Sequence, residues 1–194
     1  FRDIMRKRMS DRDLMRTFCD SALQFEPGSK FSYSNSGYIV LGAIIQKVCG
    51  KPYEQVLSEN ILIPLNMKNT GYDHSEPILK NRAAGYEKIL TNYRNADFLD
   101  MTIPLSAGAL YSTVEDLYLW DQALYLEKLL SKKYRDLLFT GYIPTADGLE
   151  YAYGWSVGKL PVGNSKDSVR VIWHGGGING FNTVLMRMPS EKNF

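Results

Sequence analysis

Ser168-Val169-Arg170-Val171-Ile172-Trp173-His174-Gly175-Gly176-Gly177-Ile178-Asn179-Gly180-Phe181-Asn182-Thr183-Val184-Leu185-Met186 is the stretch whose reading decides the fold class. β-Branched and aromatic residues flank a glycine cluster on both sides, so it reads as strand, turn, strand. Residues 175 to 180 also match Gly-x-Gly-x-x-Gly. A dinucleotide site, however, needs a helix after the glycines to turn its N-terminus toward the pyrophosphate, and Phe181 to Met186 has the pattern of a strand. The nucleotide reading is therefore rejected. The glycines offer something else: backbone N–H groups left uncovered at a strand edge, which is what a developing oxyanion requires. On this motif alone, a glycine-rich hairpin without function stays open as the alternative.

Working outward, Tyr151 to Leu160, Ser168 to His174 and Phe181 to Met188 each alternate, and turn residues separate them. This predicts three antiparallel strands in a meander. Upstream of Gly148 the texture is helical. Ser10 caps a helix expected to run to about Leu23, with Asp11 and Asp13 in its first turn. Pro27-Gly28 breaks the chain. Residues 36 to 49 are apolar nearly all round and predict a buried helix stopped by Gly50. Pro52 starts another to about Leu62, ended by Pro64. Residues 66 to 105 read mostly as loop, with a short strand near Ala83 to Ile89. Ser112-Thr113-Val114-Glu115 has capping-box spacing and opens a helix through about Leu126, and Ser131 caps a further one to Leu138. The class is α+β, in one partial domain: residues 1 to 147 mostly helix and loop, residues 148 to 194 strands of an antiparallel sheet.

The 194 residues are 44% apolar and 23% charged with a net charge of +2, the balance of an ordinary globular protein with a sizeable core. Nothing in it points to nucleic acid. Arg2, Arg6, Lys7, Arg8, Arg12 and Arg16 cluster near the start, but Asp3, Asp11 and Asp13 are interleaved, which favours a solvated helix face over a membrane or polyanion patch. No run of ~18 apolar residues is present, so no transmembrane span is expected. Cys19 and Cys49 fall in apolar helical patterns, which predicts buried free thiols, with a single disulfide as the other possibility. The only histidines, His74 and His174, have no ligand-like neighbours in sequence, so neither a metal nor a cofactor is expected. A Gly-x-Ser-x-Gly elbow is absent. The one Ser-x-x-Lys, Ser156 to Lys159, falls in a predicted strand, where its two ends face opposite sides.

A second constellation is Phe31-Ser32-Tyr33-Ser34-Asn35. If it is extended, Tyr33 and Asn35 share a side and Ser34 faces the other, bringing a phenol and an amide to one site. The alternative, which the tripeptide alone favours, is that Asn35 caps the next helix and Tyr33 packs.

Taken in order, residues 27 to 38 with Tyr33-Ser34-Asn35, the following helix with Gly42, Pro64 to Gly71, Ser106 to Thr113 and His174-Gly175-Gly176-Gly177 resemble the class C β-lactamase, penicillin-binding DD-peptidase and serine esterase superfamily. The resemblance covers about Leu23 to Phe194. It implies a β-lactamase/transpeptidase-like fold and a site built from a helical Ser-x-x-Lys, a Tyr-x-Asn loop, and a Lys-Thr-Gly or His-x-Gly strand. Tyr33 would act with the lysine as base toward the serine and then as acid toward the leaving group. An unperturbed tyrosine ionises near ~10, so this role needs a cation close by. Asn35 would hydrogen-bond the substrate's acyl-side amide, and the Gly177 N–H would join the nucleophile's own N–H in the oxyanion hole. Gly175 and Gly176 would lie along the substrate.

His174 stands where the family usually has lysine. An unperturbed histidine, titrating near ~6.5, is mostly neutral at physiological pH and is a weaker anchor for a substrate carboxylate, so ester or peptide hydrolysis is expected over efficient penicillin hydrolysis. No helical Ser-x-x-Lys lies in this chain. The nucleophile is therefore expected upstream of Phe1, and a further strand and helix downstream of Phe194. The expected partner is a small-molecule or peptide acyl substrate, and the family implies a periplasmic or cell-surface location. The competing expectation is a catalytically silent module that binds a cell-wall peptide or a partner protein.

Overall fold

The computed structural model describes residues 4–164 and 166–190. The chain is α+β and divides into two compact units. The first comprises residues 1–23, 33–116 and 176–182, and the second residues 24–32, 117–175 and 183–194. Arg2 and Asp3 of the basic stretch lie outside the described residues. Of the rest, Arg8 pairs with Glu76, Arg16 with Asp13 and Arg6 with Asp97, as expected of a solvated charged face.

In the first unit, α1 (Asp11–Arg16) is capped by Ser10, whose hydroxyl accepts the Asp13 N–H at 3.2 Å. It is shorter than expected. The Thr17 hydroxyl donates to the Leu14 carbonyl at 2.7 Å and the Thr17 N–H reaches the same oxygen at 3.1 Å, so the chain tightens into turns instead of continuing to Leu23. Leu14 packs with Ile39, Ile103 and Leu105 in the buried cluster of this unit.

Helix α2 (Asn35–Cys49) ends as predicted at Gly50, whose φ of 65° places it in the left-handed region. The expectation of a buried helix is corrected: Ile39 and Gly42 are buried, whereas Ile44 is 51% and Val48 78% exposed. An all-round apolar pattern records what could be covered, and only one stripe has a partner in this unit. There the approach is close, because a Cβ on Gly42 would lie 2.0 Å from the Ser106 hydroxyl oxygen, which donates to the Tyr38 carbonyl at 2.8 Å. The cysteine expectation is corrected too: Cys19 follows α1, Cys49 ends α2, and both are free and exposed. Both thiols should react with a water-soluble disulfide reagent in the native protein at the rate of a free peptide thiol; protection of either until denaturant is added would contradict the structure.

Pro52 precedes the next helix rather than opening it, and Pro64 does not end it. α3 (Tyr53–Leu57) widens into a π-helical turn, Ser58–Leu62, and continues as α4 (Ile63–Leu65). The Ile63 and Met67 N–H groups each reach back five residues, to Ser58 and Leu62. That wider turn accommodates a residue with no N–H, and the helix stops instead at Asn66, at φ 59°.

Residues 66–105 carry more structure than the predicted loop. β1 (Gly71–Tyr72) pairs with β4 (Leu110–Tyr111), and β2 (Tyr86–Ile89) with β3 (Asn92–Asn95), all antiparallel. The β2–β3 turn is built on Leu90 at φ 54°, a residue that announces no hairpin because leucine rarely takes that conformation. Helix α5 (Val114–Ala123) is capped one residue later than the spacing implied. Thr113, not Ser112, accepts the Asp116 N–H at 3.3 Å. The Asp116 carboxylate receives the Asn69 N–H and the Thr70 hydroxyl, each at 2.7 Å.

In the second unit, α6 (Lys132–Leu138) follows Ser131. A five-stranded sheet runs in sequence order: β5 (Ile143–Pro144), β6 (Glu150–Tyr151), β7 (Ser156–Pro161), β8 (Ser168–Ile178) and β9 (Phe181–Arg187), with residues 176–182 at the β8–β9 hairpin belonging to the first unit. The predicted first strand is broken, since Ala152 donates to the Trp155 carbonyl at 2.7 Å and folds the chain back between β6 and β7. Ser156 and Lys159 do lie in a strand, β7, paired with Trp173 and Arg170. Leu124, Phe139, Ala152, Trp155, Val157 and Ile172 form this unit's core. The buried Asp121 and Arg187 form a salt bridge in the same unit.

Candidate active site

Tyr33 and Asn35 flank the start of α2, in the first unit. Ser34 is extended, at φ −141° and ψ 107°, and its hydroxyl accepts the Gly37 N–H at 3.1 Å, so it is Ser34 that caps the helix. Neither alternative read from the tripeptide holds in full. The extended segment stops at Ser34, Asn35 is already the first helical residue, and its amide is not the cap. Ser34 is the cap because the extended backbone ends there, and its hydroxyl closes the ring onto the third residue's N–H. The Tyr33 and Asn35 side chains are both exposed, Tyr33 by 53%.

Gly175, Gly176 and Gly177 lie within β8, and the hairpin turn is Asn179-Gly180, with Gly180 at φ 77°. This corrects the expectation that the glycines form the turn. All three are exposed. A Cβ on Gly175 would come no nearer than 3.6 Å to the Trp173 ring, and one on Gly177 would sit 3.7 Å from the Asn182 side-chain oxygen. Both distances are ordinary contacts. Packing among the described residues therefore does not demand glycine at 175 or 177, although glycine weakens a strand.

The hairpin tip is the opposite case. A Cβ on Gly180 would lie 2.6 Å from the Gly85 backbone, and one on Gly85 2.8 Å from the Phe181 ring and 2.9 Å from the Asn179 carbonyl. The Asn179 amide donates to the Asp97 carbonyl at 2.8 Å. These contacts are within the first unit. Two backbones separated by some ninety positions in sequence thus cross at a pair of glycines, which no local pattern reveals.

His174 is half-buried in the second unit, with Gly175. Its Nε2 is 2.9 Å from the Tyr151 hydroxyl, and the Tyr151 ring stands 5.0 Å from that of Phe31. Sequence reading missed Tyr151, because only the cross-strand register of β6, β7 and β8 brings it to His174. His74 pairs with Glu54, Nε2 to carboxylate oxygen 2.5 Å. Among the described residues, no group of three or more His, Cys, Asp or Glu side chains is placed to hold a metal ion.

The sequence matches serine hydrolases built on the β-lactamase fold. The chain belongs to that family: the beta-lactamase family model matches residues 1–193. It is 30% identical over 181 residues to penicillin-binding protein 4* of Bacillus subtilis (strain 168), covering 87% of this chain and 39% of that protein. It is also 30% identical over 202 residues to the human mitochondrial serine beta-lactamase-like protein LACTB, covering 91% of this chain and 36% of that protein. Among solved structures, it superposes on the D-stereospecific amidohydrolase of a Streptomyces species with a TM-score of 0.82 at 24% identity, over 97% of this chain and 55% of that one. The chain thus spans well under half the length of these two sequence relatives. No helix among the described residues is long and apolar enough to cross a membrane.

Proposed function

We propose that this chain is part of an acyl-transfer serine hydrolase that forms an acyl-enzyme with amide or ester substrates and releases it with water. The observation that carries the reading is the exposed Gly175–Gly177 segment of β8, which lies past Trp173, the last residue paired with β7, and has glycine where neighbouring side chains leave room for a Cβ at 175 and 177. A bare strand edge serves a substrate that lies against backbone. In this reading the Gly177 N–H is one of two oxyanion donors, the other being the N–H of the nucleophile, and Gly175 and Gly176 border the bound acyl chain. Tyr33 takes the nucleophile's proton and returns it to the leaving group, Asn35 holds the acyl-side amide, and His174 meets the substrate's far end.

The nucleophile is a serine outside residues 1–194, in a helical Ser-x-x-Lys that places both side chains on one face. A cell-surface or periplasmic site of action, and a preference for esters or peptides over penicillins, belong to the same proposal.

The test uses the protein extended upstream through that motif. It should be labelled by a fluorophosphonate or β-lactam probe. Tyr33→Phe should slow labelling by about 10² or more, the usual scale for losing an acid–base group, with little change in folding because the ring is exposed. Wild-type protein that takes no label would favour the second reading, a binding module without turnover, which rests on the absence of a helical Ser-x-x-Lys from this chain. Labelling that ignores Tyr33→Phe would remove Tyr33 from the mechanism.

A further inference from the structure

The tip of the β8–β9 hairpin holds the only Asn-Gly pair in the chain, Asn179-Gly180. An asparagine followed by glycine is open to attack from within: with no Cβ in the way, the glycine backbone nitrogen can swing onto the asparagine Cγ and close a five-membered ring. At this tip, within the first unit, two contacts oppose that movement. The Asn179 side-chain N–H donates to the Asp97 carbonyl at 2.8 Å, and a carbonyl only accepts, so the amide is held by the nitrogen that would have to leave. The Gly180 backbone is wedged as well, since a Cβ there would lie 2.6 Å from the Gly85 Cα and from the Tyr86 N. The peptide plane between Asn179 and Gly180 cannot turn far without parting this crossing.

We propose that Asn179 is a modification site gated by the hairpin tip: held by Asp97 and Gly85 it is protected, and when the tip opens it converts to aspartate and isoaspartate. The Gly180 nitrogen, having given its proton to hydroxide, bonds to the Asn179 Cγ. The Cγ–Nδ2 bond breaks and the nitrogen leaves as ammonia with a proton from solvent, which closes a cyclic imide. Water then opens the ring at one carbonyl or the other, giving aspartate or isoaspartate. The sum is amide plus water to acid plus ammonia, with no change of oxidation state.

Either product works against reclosure. A carboxylate at 179 is an acceptor facing another acceptor, the Asp97 carbonyl, so the hydrogen bond between them is lost. Isoaspartate also adds a methylene to the main chain, beside a crossing that has no room for a Cβ. The conversion is therefore one-way, and each event leaves the tip more open. The Ala96 N–H reports that opening, because it bonds to the Gly85 carbonyl at 2.9 Å.

Two samples of the chain, one folded and one unfolded in guanidinium chloride, are incubated at the same pH and temperature while peptide mass spectrometry follows the acid at position 179. The unfolded chain should convert at least about tenfold faster. Two products of equal mass, separable by chromatography, should appear. Gly85→Ala leaves the Asn-Gly pair intact but sets a Cβ 2.8 Å from the Phe181 ring and 2.9 Å from the Asn179 carbonyl. It should raise the folded-state rate about fivefold or more. Asn179→Asp, the aspartate product made directly, should speed hydrogen exchange at Ala96 about tenfold.

No acid at position 179 in the unfolded chain would overturn the site. Equal rates in the folded and unfolded chain, or a folded Gly85→Ala that converts no faster than wild type, would overturn the gate. Aspartate as the sole product would overturn the ring, and unchanged exchange in Asn179→Asp would overturn the one-way step. The two wild-type samples decide the gate even if Gly85→Ala folds poorly.

Discussion

Arg187→Met is expected to destabilise the chain by about 3–5 kcal/mol, the scale for leaving a buried charge without its partner. Arg187 and Asp121 are among the most enclosed side chains of the second unit, 1% and 0% exposed. The Arg187 Nε donates to the Asp121 carboxylate, and a terminal guanidinium nitrogen lies 3.4 Å from the Asp121 backbone carbonyl. The guanidinium also stands over the Tyr125 and Phe139 rings, at 4.5 and 5.1 Å from their centroids. Removing it strands a carboxylate where water cannot reach. Asp121→Leu alone should be as harmful, since it strands the cation.

The double variant Asp121→Leu/Arg187→Met should recover most of the loss, because a buried pair replaced by apolar side chains of similar size is often neutral or better. Urea unfolding followed by tryptophan fluorescence reads all three. Additive losses in the double variant would show that the two charges do not depend on each other. The pair would then be incidental to the fold.

Gly180→Ala is expected to lower stability by about 3 kcal/mol and to loosen the tip of the β8–β9 hairpin. Two effects combine. At φ 77° an alanine is strained by about 1–2 kcal/mol. Its Cβ would also lie 2.6 Å from the Gly85 Cα and carbonyl carbon and from the Tyr86 N, all backbone atoms that cannot rotate away. Gly148→Ala separates the two, since Gly148 has φ 80° and open space around its missing Cβ. It should show the strain alone. Equal losses in the two variants, by urea midpoint, would mean that the backbones do not cross closely at Gly180. Hydrogen exchange at Tyr86 and Ala96 should accelerate in Gly180→Ala and not in Gly148→Ala, because the Ala96 N–H bonds to the Gly85 carbonyl at 2.9 Å beside the crossing.

Much of the local structure around the candidate site was legible because its signals are local. The glycine run between strand patterns marked β8 and β9, and the strand after Gly180 excluded a nucleotide site without any coordinates. Gly50 as a helix stop and Ser10 as a cap were equally readable, each depending on a few adjacent residues. That a helix starts beside Tyr33 and Asn35 was readable as well. Which of the neighbouring polar residues made the cap was not readable, because serine and asparagine are nearly equivalent there and the choice depends on where the extended backbone ends. Pro64 misled for a related reason: proline ends a regular α-helix, but a π-helical turn upstream removes the bond it would have broken.

What the sequence by itself determined is the order and type of the main elements, the α+β class and the positions of the glycine edge and the Tyr-Ser-Asn segment. These follow from periodicities of two and of about 3.6 residues and from the backbone limits of glycine, serine and proline. Only the tertiary structure decided that Tyr151 reaches His174, that Gly85 and Gly180 touch, that Asp121 needs Arg187, and that α2 leaves much of its apolar surface exposed. Each of these joins or separates residues far apart in the chain. Such pairings are set by strand register and by which surfaces meet, and neither is encoded in any window short enough to read.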